Sequence, residues 1–142
     1  MTVCIDTNAL VQLFGRQAAH PAILNALLAG QLTLALSNEI LFEYQEVLTR
    51  MLGPEVWLRL TRALEIMERL YANIIRVEPQ FRFNVITADA DDNKFADCAI
   101  AANADYIITE DQHFTVLANA GYRPQPITPH EFIARFLTPP AF

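Results

Sequence analysis

Four acidic side chains occupy positions in the sequence from which they could do metal chemistry. Asp6 and Asp111 each come just after a short apolar run that has the length of a buried strand. Glu43 lies one to two turns into the helical pattern that follows another such run, and Asp97 lies inside an almost wholly apolar helical segment. A carboxylate in apolar surroundings is costly unless a partner neutralises it. A shared cation is one partner that would neutralise all four.

The chemistry that suits these acids is metal-assisted hydrolysis. Clustered carboxylates repel one another, so without a counter-charge their pKa values rise and some take up protons. Mg²⁺ and Mn²⁺ prefer oxygen ligands and resolve this conflict. One or two such ions can activate water and stabilise the leaving oxygen in phosphodiester hydrolysis. The sequence has no His or Cys set with zinc spacing, no Gly-rich phosphate loop and no Ser/His pair suited to acyl transfer.

Short apolar runs and helical patterns alternate along the chain and would position these acids. The sequence predicts strands at 3–5, 33–36, 74–77 and 106–109, with a last short one at Ile127. It predicts helices over 10–14, 21–29, 37–52, 54–71 and 93–103, with a final helix after Thr128. This alternation indicates an α/β fold, a three-layer α/β/α sandwich with a mainly parallel sheet of about four to five strands. Sites in such sheets gather beyond the carboxyl ends of the strands, where the four acids would converge.

Composition limits the class of protein. The chain has 142 residues, 53% of them hydrophobic, and a formal net charge of −6. These values predict one domain over residues 1–142. The charge disfavours loose electrostatic binding to nucleic acid but not a nucleic-acid enzyme, because bound divalent cations reverse the local charge. Cys4 and Cys98 are expected to be buried free thiols. We see no signal peptide and no membrane span, so we expect a cytoplasmic protein without membrane contact.

Three groups of residues resemble a known family. They are Asp6-Thr-Asn8 at the end of the first predicted strand, Glu43 in the helix that Ser37 caps, and the block from Asp89 to Asp111. Together they look like a PIN domain, in the branch that contains the toxins of toxin–antitoxin pairs. The resemblance extends over nearly the whole chain, and the block 89–111 is its most specific part.

The resemblance implies a fold similar to that of 5′-nucleases and an endoribonuclease that depends on Mg²⁺ or Mn²⁺. It implies a catalytic, metal-binding quartet that consists of Asp6, Glu43, Asp97 and Asp111. Asn8 and Thr109 would be supporting polar residues. The implied partners are an RNA substrate, a cognate antitoxin protein and a second copy of the chain in a homodimer.

Two features of the sequence complicate this assignment. Glu110 stands between Thr109 and Asp111, where the family pattern has Gly, and it adds a negative charge beside the site. Asp92 lies near Asp97, about one turn earlier in the helix, and could share or take its role as a metal ligand. Asp92 is also a plausible N-cap of that helix.

Most of the acids also have an ordinary structural interpretation. Asp6 could cap the first helix, and Asp111 could belong to a simple turn. Glu43 lies on a stripe with Glu39, Glu46 and Arg50, which is typical of a solvated helix face. Asp97 is the exception, because a lone carboxylate on an apolar helix has no evident structural role.

Some basic residues could contact RNA. Arg59 and Arg62 belong to a loose basic stripe that could guide phosphates toward the acids. Glu65 and Glu68 lie on the same helix, so an ion-paired and solvated face is the favoured interpretation. His113 follows Asp111 and could touch a phosphate, although an exposed loop histidine is the simpler interpretation.

Two functions of other classes stay open. The fold could be a catalytically silent module that binds nucleic acid or protein, which a failure to bind Mn²⁺ would favour. A receiver-like phospho-acceptor site is disfavoured, because Asp6 stands alone at the end of its strand and Lys94 is the only lysine in the chain.

Overall fold

The computed structural model describes residues 1–15, 19–87 and 89–138. The strands are β1 (Thr2–Ile5), β2 (Thr33–Leu36), β3 (Ile74–Arg76), β4 (Tyr106–Ile108) and β5 (Gln125–Ile127). The helices are α1 (Thr7–Phe14), α2 (Pro21–Leu28), α3 (Asn38–Leu52), α4 (Pro54–Leu70), α5 (Asn93–Ala101) and α6 (Pro129–Phe132), which continues as a π-helix over Ile133–Leu137. Short 3₁₀ segments cover Ala90–Asp92 and Gln112–Asn119. Residues 16–18, 88 and 139–142 lie outside the described part of the chain.

The five strands form one sheet in the order β3-β2-β1-β4-β5. Each neighbouring pair is parallel, and Ile5 of β1 lies opposite Ile108 of β4. Parallel neighbours need a crossover connection, which the helices between them supply. The α/β architecture with a parallel sheet is confirmed.

Helices pack against both faces of the central strand. Val3, Cys4 and Ile5 are consecutive in β1, and each is 0% exposed. Because successive side chains of a strand point to opposite faces, other elements must cover both faces of the sheet. This is the three-layer arrangement that the sequence predicts. Cys4 and Cys98 are both buried and free, as expected.

Capping residues decide where the helices beside the site begin. Asp6 Oδ1 accepts the N–H of Ala9 at 2.8 Å, so α1 begins at Thr7, three residues earlier than its apolar pattern indicates. Ser37 caps α3 as predicted. The 3₁₀ segment Gln112–Asn119 is an element that the sequence analysis did not predict. Within the described residues, none of the helices has the length and apolar character needed to cross a bilayer.

Candidate active site

A cavity of about 270 Å³ opens at the edge of the sheet where β1 and β4 end, and we call it the acidic cavity. Its lining residues are Asp6, Thr7, Asn8, Glu43, Val47, Arg50, Met51, Asp89, Asp91, Asp92, Phe95 and Asp111. Six of these residues carry carboxylates and only Arg50 is basic. The cavity therefore concentrates negative charge at the edge where parallel sheets place their sites.

Asp6 is the most deeply buried acid of the cavity. It is 5% exposed, the hydroxyl of Thr109 donates to its Oδ2, and its Oδ1 caps α1. Burial raises the pKa of Asp6 from 3.8 to about 6. The two hydrogen bonds oppose this rise, and the charges of Asp111 and Asp92 add to it. A bound cation would favour the ionised form.

Thr109 links Asp6 to Asp111. Its hydroxyl donates to Asp6, and its oxygen accepts the N–H of Asp111 at 2.9 Å. The pairing of Ile5 with Ile108 brings the residues after the two strands together. Asp111 in turn caps the 3₁₀ segment, because its Oδ1 accepts the N–H of His113 at 2.9 Å. Asp6 thus has the capping role that the sequence allowed, Asp111 caps a 3₁₀ segment where a simple turn was the alternative, and both line the acidic cavity.

Two donors hold Glu43 in a fixed orientation. Lys94 Nζ lies 2.6 Å from Glu43 Oε1, and the hydroxyl of Thr7 donates to Oε2. The side chains of Lys94 and Glu43 are only 15% and 24% exposed. Burial alone would lower the pKa of Lys94, but the hydrogen bond and charge of Glu43 outweigh burial and raise that pKa. Glu43 is therefore held inside the molecule, whereas Glu39 and Glu46 of the same helix are exposed.

Asp92 lies at the start of α5, where it meets the segment that follows β4. His113 Nδ1 lies 3.2 Å from Asp92 Oδ2 and 3.3 Å from Asp111 Oδ1. Asp89, Asp92 and His113 offer ligand atoms that lie within 4.8 Å of one another. Burial raises the pKa of Asp92, His113 lowers it, and the charges of Asp111 and Asp89 raise it further. Asp92 occupies the N-cap position, but within the described residues its side chain makes no capping hydrogen bond.

Asp97 lies in a different place. It lines a separate hollow of about 130 Å³, the polar pocket, together with Ser37, Asn38, Glu39, Glu78, Pro79, Phe81, Arg82 and Lys94. Asp97 is 7% exposed, and its Oδ1 accepts the N–H of Phe83 at 3.1 Å. Burial raises its pKa, while the bond from Phe83 and the charge of Arg82 oppose the rise. Asp97 therefore lines a different hollow from Asp6 and Asp111, although the resemblance implies that all three share one metal site.

The remaining predicted residues also divide between the acidic cavity and other surfaces. Asn8 lines the acidic cavity. Glu110 borders another surface hollow, where Gln12 Nε2 lies 3.3 Å from its carboxylate. Arg59 and Arg62 border an apolar groove of about 200 Å³, whose other lining residues are Phe14, Leu24, Leu28, Ala63 and Ile66. The guanidinium of Arg59 lies 5.9 Å from the centre of the Phe14 ring. The two arginines thus surround a surface other than the acidic cavity.

The family model described as PIN domain matches residues 2–113. The chain belongs to the PIN domain family. No curated protein matches the sequence. The fold of this PIN domain is similar to the crystal structure of VapBC2 from Rickettsia felis bound to a DNA fragment from their promoter, with a TM-score of 0.58 and 20% identity. The similarity covers 89% of this chain and 99% of that chain.

Membership of the PIN domain family implies nuclease activity, and the acidic cavity has donors that suit a divalent cation. Asp6, Asp92 and Asp111 present oxygen atoms there, and His113 adds a ring nitrogen beside two of them. Hard divalent cations take oxygen ligands of this kind. Burial and the charge of Asp111 raise the pKa values of both Asp6 and Asp92, and a bound cation would oppose that rise.

Sequence reasoning did not predict the charged residues Asp89, Asp91 and Arg50 of this PIN domain's cavity, and it gave too little weight to His113 beside Asp92 and Asp111. Asp89 and Asp91 belong to an acidic run directly before α5, and that run was a usable signal. Arg50 lies on the stripe that was interpreted as solvated, yet it reaches the cavity rim. His113 gave no periodic signal, because its position depends on the 3₁₀ segment that begins at Gln112.

Proposed function

We propose that this PIN domain is an endoribonuclease that depends on Mg²⁺ or Mn²⁺. The observation that carries the proposal is the gathering of Asp6, Glu43, Asp92 and Asp111 around one cavity at the carboxyl edge of the sheet. Family membership supports hydrolysis of a phosphodiester. Asp92 takes the place in this set that the sequence-based quartet gave to Asp97.

The residues of the acidic cavity would bind the cation, the attacking water and a phosphate oxygen of the substrate. Asp6, Asp92 and Asp111 would hold the cation, and Thr109 orients the first of them. When bound, the cation would activate a water molecule and stabilise the leaving oxygen.

Glu43 would accept a hydrogen bond from the attacking water. Lys94 and Thr7 hold its two oxygens in place, and each carboxylate oxygen retains a second lone pair for the water. Asn8, at the cavity wall, would donate from its amide to a phosphate oxygen.

The decisive experiment compares wild type with Asp6→Asn on a labelled structured RNA, in Mn²⁺ and in EDTA. Asp105→Asn is the matched control, because Asp105 lies at the opposite end of β4, where it accepts the N–H of Thr2 at 2.9 Å. We expect cleavage by wild type and Asp105→Asn in Mn²⁺ and none in EDTA. Asp6→Asn should be at least roughly 100-fold slower, since even outer partners of metal ligands contribute 10- to 100-fold.

Calorimetry with Mn²⁺ separates this proposal from a silent binding module. Wild type should bind Mn²⁺, and its melting temperature should rise with Mn²⁺ concentration because the ion binds the folded state. Asp6→Asn should show a weaker rise. Failure of wild type to bind Mn²⁺, or equal cleavage by Asp6→Asn and wild type, would reject the metal-dependent nuclease.

We assign the nuclease to the toxin of a toxin–antitoxin pair in the cytoplasm, as a homodimer inhibited by a small antitoxin protein. The similar structure of VapBC2 supports this setting, because that crystal structure holds the pair on promoter DNA. Expression of the chain should slow growth of a bacterial host, and Asp6→Asn should not. Coexpression of a small DNA-binding protein encoded by an adjacent gene should restore growth. Light scattering of the purified chain would test the homodimer.

A further inference from the structure

Residues 81–87, which follow β3, are held against α5 by hydrogen bonds from two of its side chains. Asp97 Oδ1 accepts the N–H of Phe83 at 3.1 Å. The side chain of Asn93 both accepts the N–H of Ile86 at 3.0 Å and donates to its carbonyl at 2.8 Å. Ile86 is 2% exposed. These contacts hold the segment in one position, and they give Asp97 and Asn93 a positioning role.

The outer side of this segment presents an aromatic ring and a cation to solvent. Phe81 is 73% exposed, and Arg82 beside it is also exposed. Phe83, the next aromatic, turns inward and packs edge-on against Tyr122, with 5.3 Å between ring centres. Residues 81–83 therefore present to solvent the Phe81 ring, whose centre lies 6.5 Å from that of Phe83, and the exposed residue Arg82. Proteins that bind single-stranded nucleic acid combine exposed aromatic rings with basic side chains in this way.

This surface is continuous with the acidic cavity. Phe81 and Arg82 line the polar pocket, and Arg82 also lines a second hollow of about 260 Å³. Asp91 lines both that second hollow and the acidic cavity. Lys94 lines the polar pocket and the second hollow and reaches Glu43 of the acidic cavity. An RNA strand that crosses the acidic cavity would therefore contact Phe81 and Arg82 with its next nucleotide.

The charges of the polar pocket favour a base over a phosphate as its occupant. Glu39, Glu78 and Asp97 line it against Arg82 and Lys94, and the charge of Lys94 is engaged by Glu43. An anion placed inside would meet more acids than free cations. A neutral base offers amino groups that carboxylates accept, as in their pairing with the N4 amino group of cytosine. Arg82, an exposed residue of the pocket wall, would supply the cation for the phosphate of the same nucleotide.

We propose that Phe81 and Arg82 bind one unpaired nucleotide next to the scissile phosphate, with its base on the Phe81 ring. This inference rests on the proposed ribonuclease function. The nucleotide must be unpaired, because a base inside a duplex is already stacked on its neighbours. The site thus confers a preference for single-stranded segments or loops of RNA.

The test measures binding of a fluorescent single-stranded RNA by anisotropy in EDTA, and cleavage kinetics in Mn²⁺. Phe81→Ala is compared with Phe81→Trp, which keeps a ring, and with Phe42→Ala. Phe42 is the matched control because it is 71% exposed on α3 and does not line either cavity. Phe81→Ala should bind roughly 5- to 100-fold more weakly, which is the range for loss of one stacked base. Its KM should rise while kcat is retained, and Phe81→Trp and Phe42→Ala should resemble wild type.

A second variant tests the phosphate contact. Arg82→Gln should lower the magnitude of the slope of log K against log salt by about 0.7, the value for one phosphate of a single strand. A further measurement with Phe81→Ala uses fully paired RNA. Its binding should be unaffected, because its bases are already stacked inside the duplex.

The outcomes separate this inference from the proposed function. Equal RNA affinity of Phe81→Ala and Phe42→Ala, with a wild type that cleaves, would overturn this inference alone. A change of oligomeric state in Phe81→Ala would overturn it by showing that the ring contacts a second copy of the chain. RNA binding by wild type without Mn²⁺-dependent cleavage would reject the nuclease while keeping the nucleotide site. Absence of both binding and cleavage would reject both.

Discussion

The acidic cavity and the polar pocket lie on two sides of the start of α5, and each contains a buried carboxylate. In the acidic cavity, burial raises the pKa values of Asp6 and of the half-buried Asp92, and the charge of Asp111 raises both further. In the polar pocket, Asp97 has a backbone N–H at 3.1 Å and the charge of Arg82. Asp97 thus has one cationic neighbour, Arg82, against the acidic Glu39, whereas the neighbouring charges that act on Asp6 are the acids Asp111 and Asp92.

The difference shows which buried acids indicate chemistry. Burial raises the pKa of all three carboxylates, so burial does not distinguish them. The charged neighbours distinguish them, because Arg82 lowers the pKa of Asp97 whereas Asp111 raises the pKa values of Asp6 and Asp92. Acids that face one another across an open cavity leave room for a cation. The following predictions test whether this distinction holds.

The largest expected effect separates Asp92 from Asp97 in catalysis. Asp92→Asn removes a charged ligand from the acidic cavity, and we expect kcat/KM for RNA cleavage in Mn²⁺ to fall at least roughly 100-fold. Asp97→Asn keeps an oxygen that can accept the N–H of Phe83, so its kcat/KM should stay within about threefold of wild type. Equal defects in the two variants would place Asp97 in the cleavage site and remove the distinction.

The contrast between Asp92 and Asp97 also shows which parts of the fold and the site can be predicted from the sequence. The strands, the parallel sheet and the positions of Asp6 and Asp111 follow from local patterns, because a parallel sheet puts all strand ends at one edge. The choice between the two helix acids does not follow from local patterns. Residues five apart in one helix differ by about 140° in direction, but Asp92 precedes α5, so its direction is not set by helix periodicity. Which of them faces the cavity depends on the 3₁₀ segment Ala90–Asp92 and on the contact with Phe83.

Glu43 shows a second limit of prediction from sequence. Its stripe on α3 is typical of a solvated face, and Glu39 and Glu46 on that stripe are exposed. Glu43 is turned inward by Lys94, which is 51 positions away in the chain. A pairing over that distance is a tertiary contact that helical periodicity does not contain.

The second prediction concerns the pH dependence of stability in EDTA. The pKa of Asp6 is about 6 in the folded protein against 3.8 as the ordinary value, so the folded state binds this proton more tightly. The contribution of Asp6 to the free energy of unfolding is therefore most favourable below about pH 4 and is lost as pH rises through 6. Relative to wild type, Asp6→Asn should gain roughly 2–3 kcal/mol between pH 4 and pH 7, at about 1.4 kcal/mol per pKa unit.

Urea denaturation at several pH values would measure this gain, with Asp105→Asn as the control. The pKa of Asp105 is lowered, chiefly by the N–H of Thr2, so its contribution changes with pH in the opposite direction. A pH-independent difference in stability between Asp6→Asn and wild type would mean that the acidic cavity does not raise the pKa of Asp6.

The third prediction isolates the hydrogen bond in the polar pocket. Asp97→Ala leaves the N–H of Phe83 without its acceptor, whereas Asp97→Asn retains one. We expect the alanine variant to be about 1–2 kcal/mol less stable to urea than the asparagine variant. Hydrogen exchange should accelerate in the segment 81–87 of the alanine variant. Unchanged exchange in that segment would show that Asp97 does not position it.

The smallest expected effect is at Arg59 and Arg62, which the sequence suggested as RNA contacts. They border the apolar groove rather than either polar hollow, and Arg59 lies over the Phe14 ring. The double variant Arg59→Gln/Arg62→Gln should therefore change KM for RNA less than about threefold. The two arginine charges act on RNA in the acidic cavity only across solvent, and salt screens that interaction. Its salt slope should match that of wild type, in contrast to Arg82→Gln. A loss of about 0.7 per arginine in that slope would mean that RNA crosses the apolar groove, since each lost phosphate contact lowers the slope by that amount.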